Sequence, residues 1–293
     1  MDFRHPPAER EVDRALARRL LEAQHPHHLT GDLTFVGEGW DNFIFRVGAE
    51  YALRLPRREV AVELLRNEQR WLPTIAERLT LSVPVPVAVG EPSALFPWPW
   101  SVVPWIEGTT AEDAALSQAD AALLGWTLRS LHQAAPPEAP ANPFRGVPLE
   151  ERRPVIEERV DRLGVGRLRP LWEAALDAPG STGDVWLHGD LHPRNVLVDA
   201  GGLVGLIDWG DMNGGDPATD LACAWTLFGS EARATLREVY RPTEPEWRRA
   251  RGWAVHLGSA MADSGDPSHV ALGWRILAEL ETELQASEFG VQG

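Results

Sequence analysis

VWLHGDLHPRNVLVDAGGLVGLIDWGD, residues 185–211, is the stretch from which the rest of the chain can be read. Val196-Leu197-Val198 and the run from Leu203 to Ile207 are short and apolar, with Asp199-Ala200-Gly201-Gly202 between them. Two such runs around a Gly-containing gap predict a β-hairpin. Reflection about that turn pairs 198 with 205, 196 with 207 and 195 with 208. Asn195 and Asp208 are therefore expected opposite each other at the open end, where antiparallel partners lie about 5 Å apart. An amide oxygen and a carboxylate are hard donors of the kind a Mg2+ ion prefers. Asp190 lies five residues before Asn195 on the loop entering the hairpin, and can point into the same space without ligating the metal. The spacing His188-x-Asp190-x-His192 also admits a second reading, a zinc-type cluster in a metal-dependent hydrolase.

Working outward, the N-terminal side reads as a small β-rich part. An amphipathic stretch near 9–24 predicts a helix, and 32–36, 43–47 and 51–55 predict strands, the last two joined by Gly48-Ala49-Glu50. Residues 59–79 are helical by pattern, with Pro73 expected to kink or end the first part. A proline-spaced β segment covers 83–90 and 100–106. Beyond Gly108 helices dominate, for example 117–134 and 167–177, with a Pro-rich break at 136–143. The expected order is a β-rich part with one long helix, an extended connector, and a larger helical part, with a boundary at 106/107. The class is α+β.

Composition narrows the function. The 293 residues carry a net charge of −15, which argues against nucleic-acid binding through basic phosphate contacts. Residues 1–106 hold 12 Arg against 14 acids, and the remainder 16 Arg against 29 acids, so the acidity sits in the C-terminal part. Such a field either attracts a cationic small molecule or simply maintains solubility. No apolar run is long enough to span a bilayer, the N-terminus lacks the apolar core of a secretory signal, and the one cysteine, Cys223, cannot form an internal disulfide. A cytoplasmic location is the expectation. All 28 basic residues are arginine, so any fixed cation must be a guanidinium.

Two features stand out in the β-rich part, the first of which reads equally as a plain hairpin turn or as a phosphate-binding one. GEGWDNFIFRV (37–47) places Gly37 and Gly39 in a turn that leads to Asn42, and glycines let backbone amides approach phosphate closely. In YALRLPRR (51–58) strand alternation sets Ala52 and Arg54 on one face. The following helix carries an apolar stripe, Ala61, Leu64, Leu65, Trp71, Leu72 and Ile75, with Glu68 inside it. A carboxylate on a buried face needs a partner, and Arg54 is the natural one.

HGDLHPRN (188–195), IDWG (207–210) and GDPATDLA (215–222) together resemble the aminoglycoside phosphotransferase family of kinase-like enzymes. The resemblance implies a two-lobed protein-kinase-like fold and transfer of the γ-phosphate of ATP, or GTP, to a small-molecule hydroxyl. It implies that Asp190 takes the acceptor proton, that Asn195 and Asp208 hold Mg2+, and that His188 and Asp220 support the loop. Arg54 stands where such kinases place a lysine, and with Glu68 reproduces their strand–helix ion pair. In WSVVPWIEG (100–108) the resemblance implies the hinge, with Val103 lining the base, the Pro104 carbonyl accepting and Ile106 N–H donating. Asp211, Asp263 and Asp266 are candidates for contacts to an acceptor's amino groups. The acceptor is expected to be an aminoglycoside or another cationic amino sugar or alcohol. A macrolide, a choline-like alcohol or a sugar are alternatives, as is an inactive nucleotide-binding module, given the missing lysine. Trp98, Trp100, Trp105 and Trp209 are candidate pocket walls.

Overall fold

The computed structural model describes residues 7–290, which fold as two compact units. The first holds residues 7–109 together with 197–212, and the second holds 110–196 and 213–290. The boundary expected at 106/107 thus falls at 109/110, and the hairpin segment belongs to the first unit. Its tether explains why: Ser82 N–H donates to Val204 O (3.1 Å), and Leu206 N–H to Ser82 O (3.0 Å).

Helix α1 (Arg14–Gln24) begins later than the expected residue 9, because Asp13 caps it by accepting from Leu16 N–H at 2.7 Å. Strands β1 (Leu33–Glu38), β2 (Asn42–Val47) and β3 (Tyr51–Pro56) form a meander. Helix α2 (Val60–Ala76) follows. It runs on past Pro73 to Ala76, since a missing N–H in the last turn forfeits one bond only. Of the expected 83–90 segment only β4 (Ala88–Gly90) is a strand, as Pro84 and Pro86 cannot donate to a ladder. Strand β5 (Trp100–Pro104) completes an antiparallel sheet of order β1-β2-β3-β5-β4. Leu20, Leu21, Leu33, Phe45, Leu53 and Trp100 pack its core.

After β6 (Thr109–Thr110) come α3 (Gln118–Leu131), α4 (Arg153–Leu163), α5 (Arg169–Leu176) and β7 (Val185–Leu187). A Ser117/Asp120 capping box starts α3. The hairpin strands are β8 (Val196–Asp199) and β9 (Gly202–Leu206). Next, β10 (Asn213–Gly215) pairs antiparallel with β7, and α6 (Ala218–Leu221), α7 (Cys223–Leu227), α8 (Ser230–Tyr240), α9 (Glu244–Ala262) and α10 (Pro267–Gly290) finish the helical unit. Helix α9 is its centre: it packs against α4, α5, α6 and α10, and buries Trp253, Ala254 and Val255 completely. Trp100 and Trp209 are also fully buried, so they fill cores and line no pocket, contrary to expectation. Among the described residues no helix is long and apolar enough to cross a membrane.

Candidate active site

In the helical unit the candidate site is the loop from β7 to β8. Its entry is shaped by Asp220 in α6, whose buried carboxylate accepts from the backbone N–H of His188 and of Gly189, both at 2.8 Å. His132, at the end of α3, contacts the same carboxylate through Nε2 (3.2 Å) and Tyr240 Oη through Nδ1 (2.8 Å). Burial works against ionisation of Asp220, but His132 and the loop amides outweigh it and hold its carboxyl below the usual range. Gly189 has φ +87°, a left-handed conformation that an L side chain would strain. The chain therefore turns sharply just before Asp190.

Three groups then fix the Asp190 carboxylate. His192 Nδ1 accepts from Arg194 N–H (3.3 Å), which leaves Nε2–H to donate to Asp190 Oδ2 at 3.2 Å. Asn195 Nδ2 donates to Asp190 O (2.9 Å) and Oδ2 (3.2 Å), turning its amide oxygen away from Asp190. Arg145 Nη2 donates to Asp190 Oδ1 at 3.1 Å. Burial would raise the Asp190 pKa, yet His192, Arg145 and His188 hold it far below the ordinary carboxylate value. His188 is fully buried and accepts from Asp190 N–H through Nδ1 (3.3 Å), a loop-bracing position. A cavity of about 850 Å³ opens beside this loop, with His192, Pro193, Arg194 and His269 in its wall.

The first unit carries the other half of the expected set. Arg54 on β3 pairs through Nη1 with Glu68 on α2, and both are buried. Its Nη2 lies 3.2 Å from Asp208 Oδ1. Burial opposes the charge on Arg54, but Glu68 and Asp208 outweigh it and keep the guanidinium protonated. Asp208 has φ +60°, and its side chain is 54% exposed, so a strained backbone presents a carboxylate that is anchored on one side only. The turn between β1 and β2 is braced by Arg57, whose Nη1 donates to Gly39 O at 2.9 Å. A Cβ added at Gly37 would meet nothing, and at Gly39 only an ordinary contact at 3.8 Å. Asn42 is buried at the start of β2. On β5, Val103 is buried opposite Ala52, and Pro104 stands opposite Tyr51. Trp105 N–H is spent on Glu50 O (2.7 Å), and Ile106 follows half-buried.

Two of the three candidate acceptor contacts are held in ion pairs. Asp263 is paired with Arg162 and lies 3.9 Å from Arg159 Nε. Asp266 is held by Arg194 at 2.9 and 3.1 Å and accepts from the N–H of Ser268 and His269, so it caps the start of α10. Asp211 is half-buried after the hairpin. Among the described residues no three His, Cys, Asp or Glu side chains gather as a metal-binding group, and the His188-Asp190-His192 zinc reading loses its support. Sequence reading missed Arg145 and His132 as partners of Asp190 and Asp220. Nothing local marks either one, since the contacts span 45 and 88 residues.

A five-stranded sheet with a strand–helix Arg–Glu pair in one unit, and an Asp-x4-Asn loop in a helical unit, define a kinase-like phosphotransferase. The family model described as APH, phosphotransferase enzyme family, matches residues 32–253, and the chain belongs to that family. It is 30% identical over 240 residues to viomycin phosphotransferase of Streptomyces vinaceus, which covers 75% of this chain and 80% of that protein. It is 29% identical over 216 residues to the uncharacterized protein YcbJ of Bacillus subtilis (strain 168), covering 66% of this chain and 68% of that one. Among solved structures it matches aminoglycoside 2'-phosphotransferase-IIIa in its GDP complex with a TM-score of 0.70 at 18% identity, over 93% of this chain and 99% of that one. The α+β kinase-like fold expected from the motifs is the fold of the chain.

Proposed function

We propose that the chain moves the γ-phosphate of ATP or GTP to a hydroxyl of a small molecule, with Asp190 receiving the hydroxyl proton. The observation that carries this reading is the convergence of His192, Asn195 and Arg145 on one carboxylate behind the Gly189 turn. Four constraints on one acid point to orientation of a reacting group, which is the main demand of phosphoryl transfer. A carboxylate kept ionised can accept a proton as the acceptor oxygen attacks phosphorus.

Asn195 and Asp208 fit the role of magnesium ligands by the chemistry of their donors. One turns an amide oxygen away from Asp190, and the other offers a half-exposed carboxylate. Magnesium bound by them would neutralise charge on the transferring phosphoryl oxygens. Arg54, kept protonated by Glu68, is the group for the nucleotide phosphates. The open space around Gly37 and Gly39 supports a turn whose backbone meets a ligand, since packing within the protein does not require glycine there. Val103, Pro104 and Ile106 remain the candidates for the nucleotide base.

The finer reading, a cationic antibiotic as acceptor, is favoured by the viomycin phosphotransferase relative. The ion pairs that occupy Asp263 and Asp266 speak against those two residues as its contacts. The test of the chemistry is Asp190→Asn: transfer should fall by about 10³-fold or more, while nucleotide affinity stays within twofold. Undiminished transfer in that variant would remove Asp190 from the mechanism.

A further inference from the structure

Arg194 lies in the β7–β8 loop between Pro193 and Asn195, both of which are buried, and its own side chain is half-buried. Its guanidinium is shared between two acids from distant parts of the helical unit. Nε donates to Glu112 Oε1 at 2.7 Å, while Nη1 and Nη2 donate to the two oxygens of Asp266 at 2.9 and 3.1 Å. Nη2 also donates to Ser268 Oγ, which lies 3.1 Å from Glu112 Oε1 and 2.9 Å from Asp266 Oδ1. Glu112 belongs to the short turn Ala111–Asp113 after β6, and Asp266 caps α10. One side chain thus ties the loop to segments 82 and 72 residues away.

Glu112 and Arg194 also form part of the wall of the cavity of about 850 Å³ beside the loop. A cavity of that size takes a drug-sized molecule. His192 belongs to the same wall, and its Nε2 is 3.2 Å from Asp190 Oδ2, so the cavity adjoins the proposed base. Much of the wall is apolar: Ala111, Ala114, Leu116, Leu227, Ala271 and Leu272. Among the described residues its charged side chains are Glu112, Arg194, Arg275 and Glu279, two acids and two guanidinium groups. Each is already paired: Glu112 with Arg194, and Arg275 with Glu279 Oε1 at 2.9 Å. The other oxygen of Glu279 accepts from Arg233 at 2.7 Å. His269, also in the wall, is pushed below the ordinary histidine range by burial and by Arg194, so its ring is neutral at pH 7. A cation entering such a cavity loses water and meets no free carboxylate among these groups. An uncharged compound meets no such penalty, and its apolar face gains by burial.

We propose that Arg194 is a specificity-determining residue: by holding Glu112 and Asp266 it withdraws the carboxylates a cationic acceptor needs, and fits the cavity to a hydroxyl compound of little net charge with an apolar face. The inference rests on Asp190 as the acceptor base, and it sets the acceptor apart from the polycation that the overall acidity suggests. The acceptor's hydroxyl proton passes to Asp190, the oxygen bonds to the γ-phosphorus, and the bond from that phosphorus to the bridging oxygen breaks to release the nucleoside diphosphate. Without Arg194, Glu112 and Asp266 lose their shared cation, and the wall turns from neutral to negative.

Calorimetry on the full chain, loaded with a non-hydrolysable nucleotide, tests this with two probes: hexyl glucoside, uncharged with an apolar arm, and kanamycin, a polycation. The wild type should bind the glucoside at least tenfold more tightly than kanamycin. Arg194→Gln should raise kanamycin affinity at least tenfold and leave glucoside affinity within about threefold, with nucleotide affinity unchanged within twofold. Adding Glu112→Gln to that variant should take most of the kanamycin gain back, which separates a freed carboxylate from a change of shape. Should Arg194→Gln not fold, Ala115→Glu puts an unpaired acid on an exposed position of the same wall and should raise kanamycin affinity in its place. Kanamycin bound by the wild type as tightly as the glucoside, binding of neither probe, or an unchanged kanamycin affinity in the folded variant overturns the proposal. A fully active Asp190→Asn would instead sink the base assignment while leaving both affinities measurable.

Discussion

Glu68 is 1% exposed, and its ion-pair partner Arg54 is almost as deeply buried. Removing one member of such a pair leaves a charge in the interior, which costs about 3–5 kcal/mol. Asp208 still faces Arg54 at 3.2 Å, so Glu68→Gln should lie near the low end, about 3 kcal/mol, read as a shift in the urea midpoint at constant m. Arg54→Gln should cost a similar amount and raise the nucleotide Kd by about tenfold or more, because it removes the cation proposed for the phosphates. If the nucleotide Kd of that variant is unchanged, Arg54 is a structural residue only. This pair was legible from the residues alone, since a carboxylate in an apolar helical stripe calls for a cation. The third member was not, because Asp208 is 154 residues from Arg54 and no local pattern reports that contact.

At the scale of elements, α6 acts as the brace of the β7–β8 loop. Asp220 satisfies two loop amides and touches His132, so it ties α3, α6 and the loop at one buried point. Asp220→Ala leaves two buried N–H groups without their acceptor, at about 1–3 kcal/mol each. The loop should loosen before the fold is lost. The expected outcome is a kcat reduced about 10- to 100-fold with the nucleotide Kd nearly constant, which stopped-flow and equilibrium titration would separate. A rise in nucleotide Kd at unchanged kcat would contradict this role. The type of nearly every element could be read from periodicity, and the errors have local causes. Asp13 starts α1 late by capping, and Pro84 and Pro86 shorten the strand before β5.

Over the whole molecule, the most consequential titration is that of His256 in the central helix α9. Its folded pKa, about 3, lies below the ordinary 6.5 of an unfolded histidine. Between these values the unfolded chain binds the proton and the folded chain does not, so this residue makes stability rise with pH from about 3 to 6.5. The contribution is fully present above 6.5 and is lost as the pH falls towards 3. His256→Gln should flatten the acid limb of the stability curve, measured by urea unfolding between pH 4 and 7. An acid limb as steep as in the wild type would assign the loss to other groups.

The amino-acid sequence by itself determined the class of the molecule. Hairpin, Asp-x4-Asn loop and Arg–Glu pair each follow from rules of short range: strand alternation, helical spacing, and the cost of a buried charge without a partner. Tertiary structure alone decided what surrounds Asp190. Arg145 reaches it because a glycine with no room for a side chain is locked between β10 and α6. The acidity of the C-terminal part pointed to a cationic acceptor, but total charge is a sum over the surface. The charge at the site depends on which few side chains packing brings there, and at Asp190 they are Arg145, His192 and Asn195.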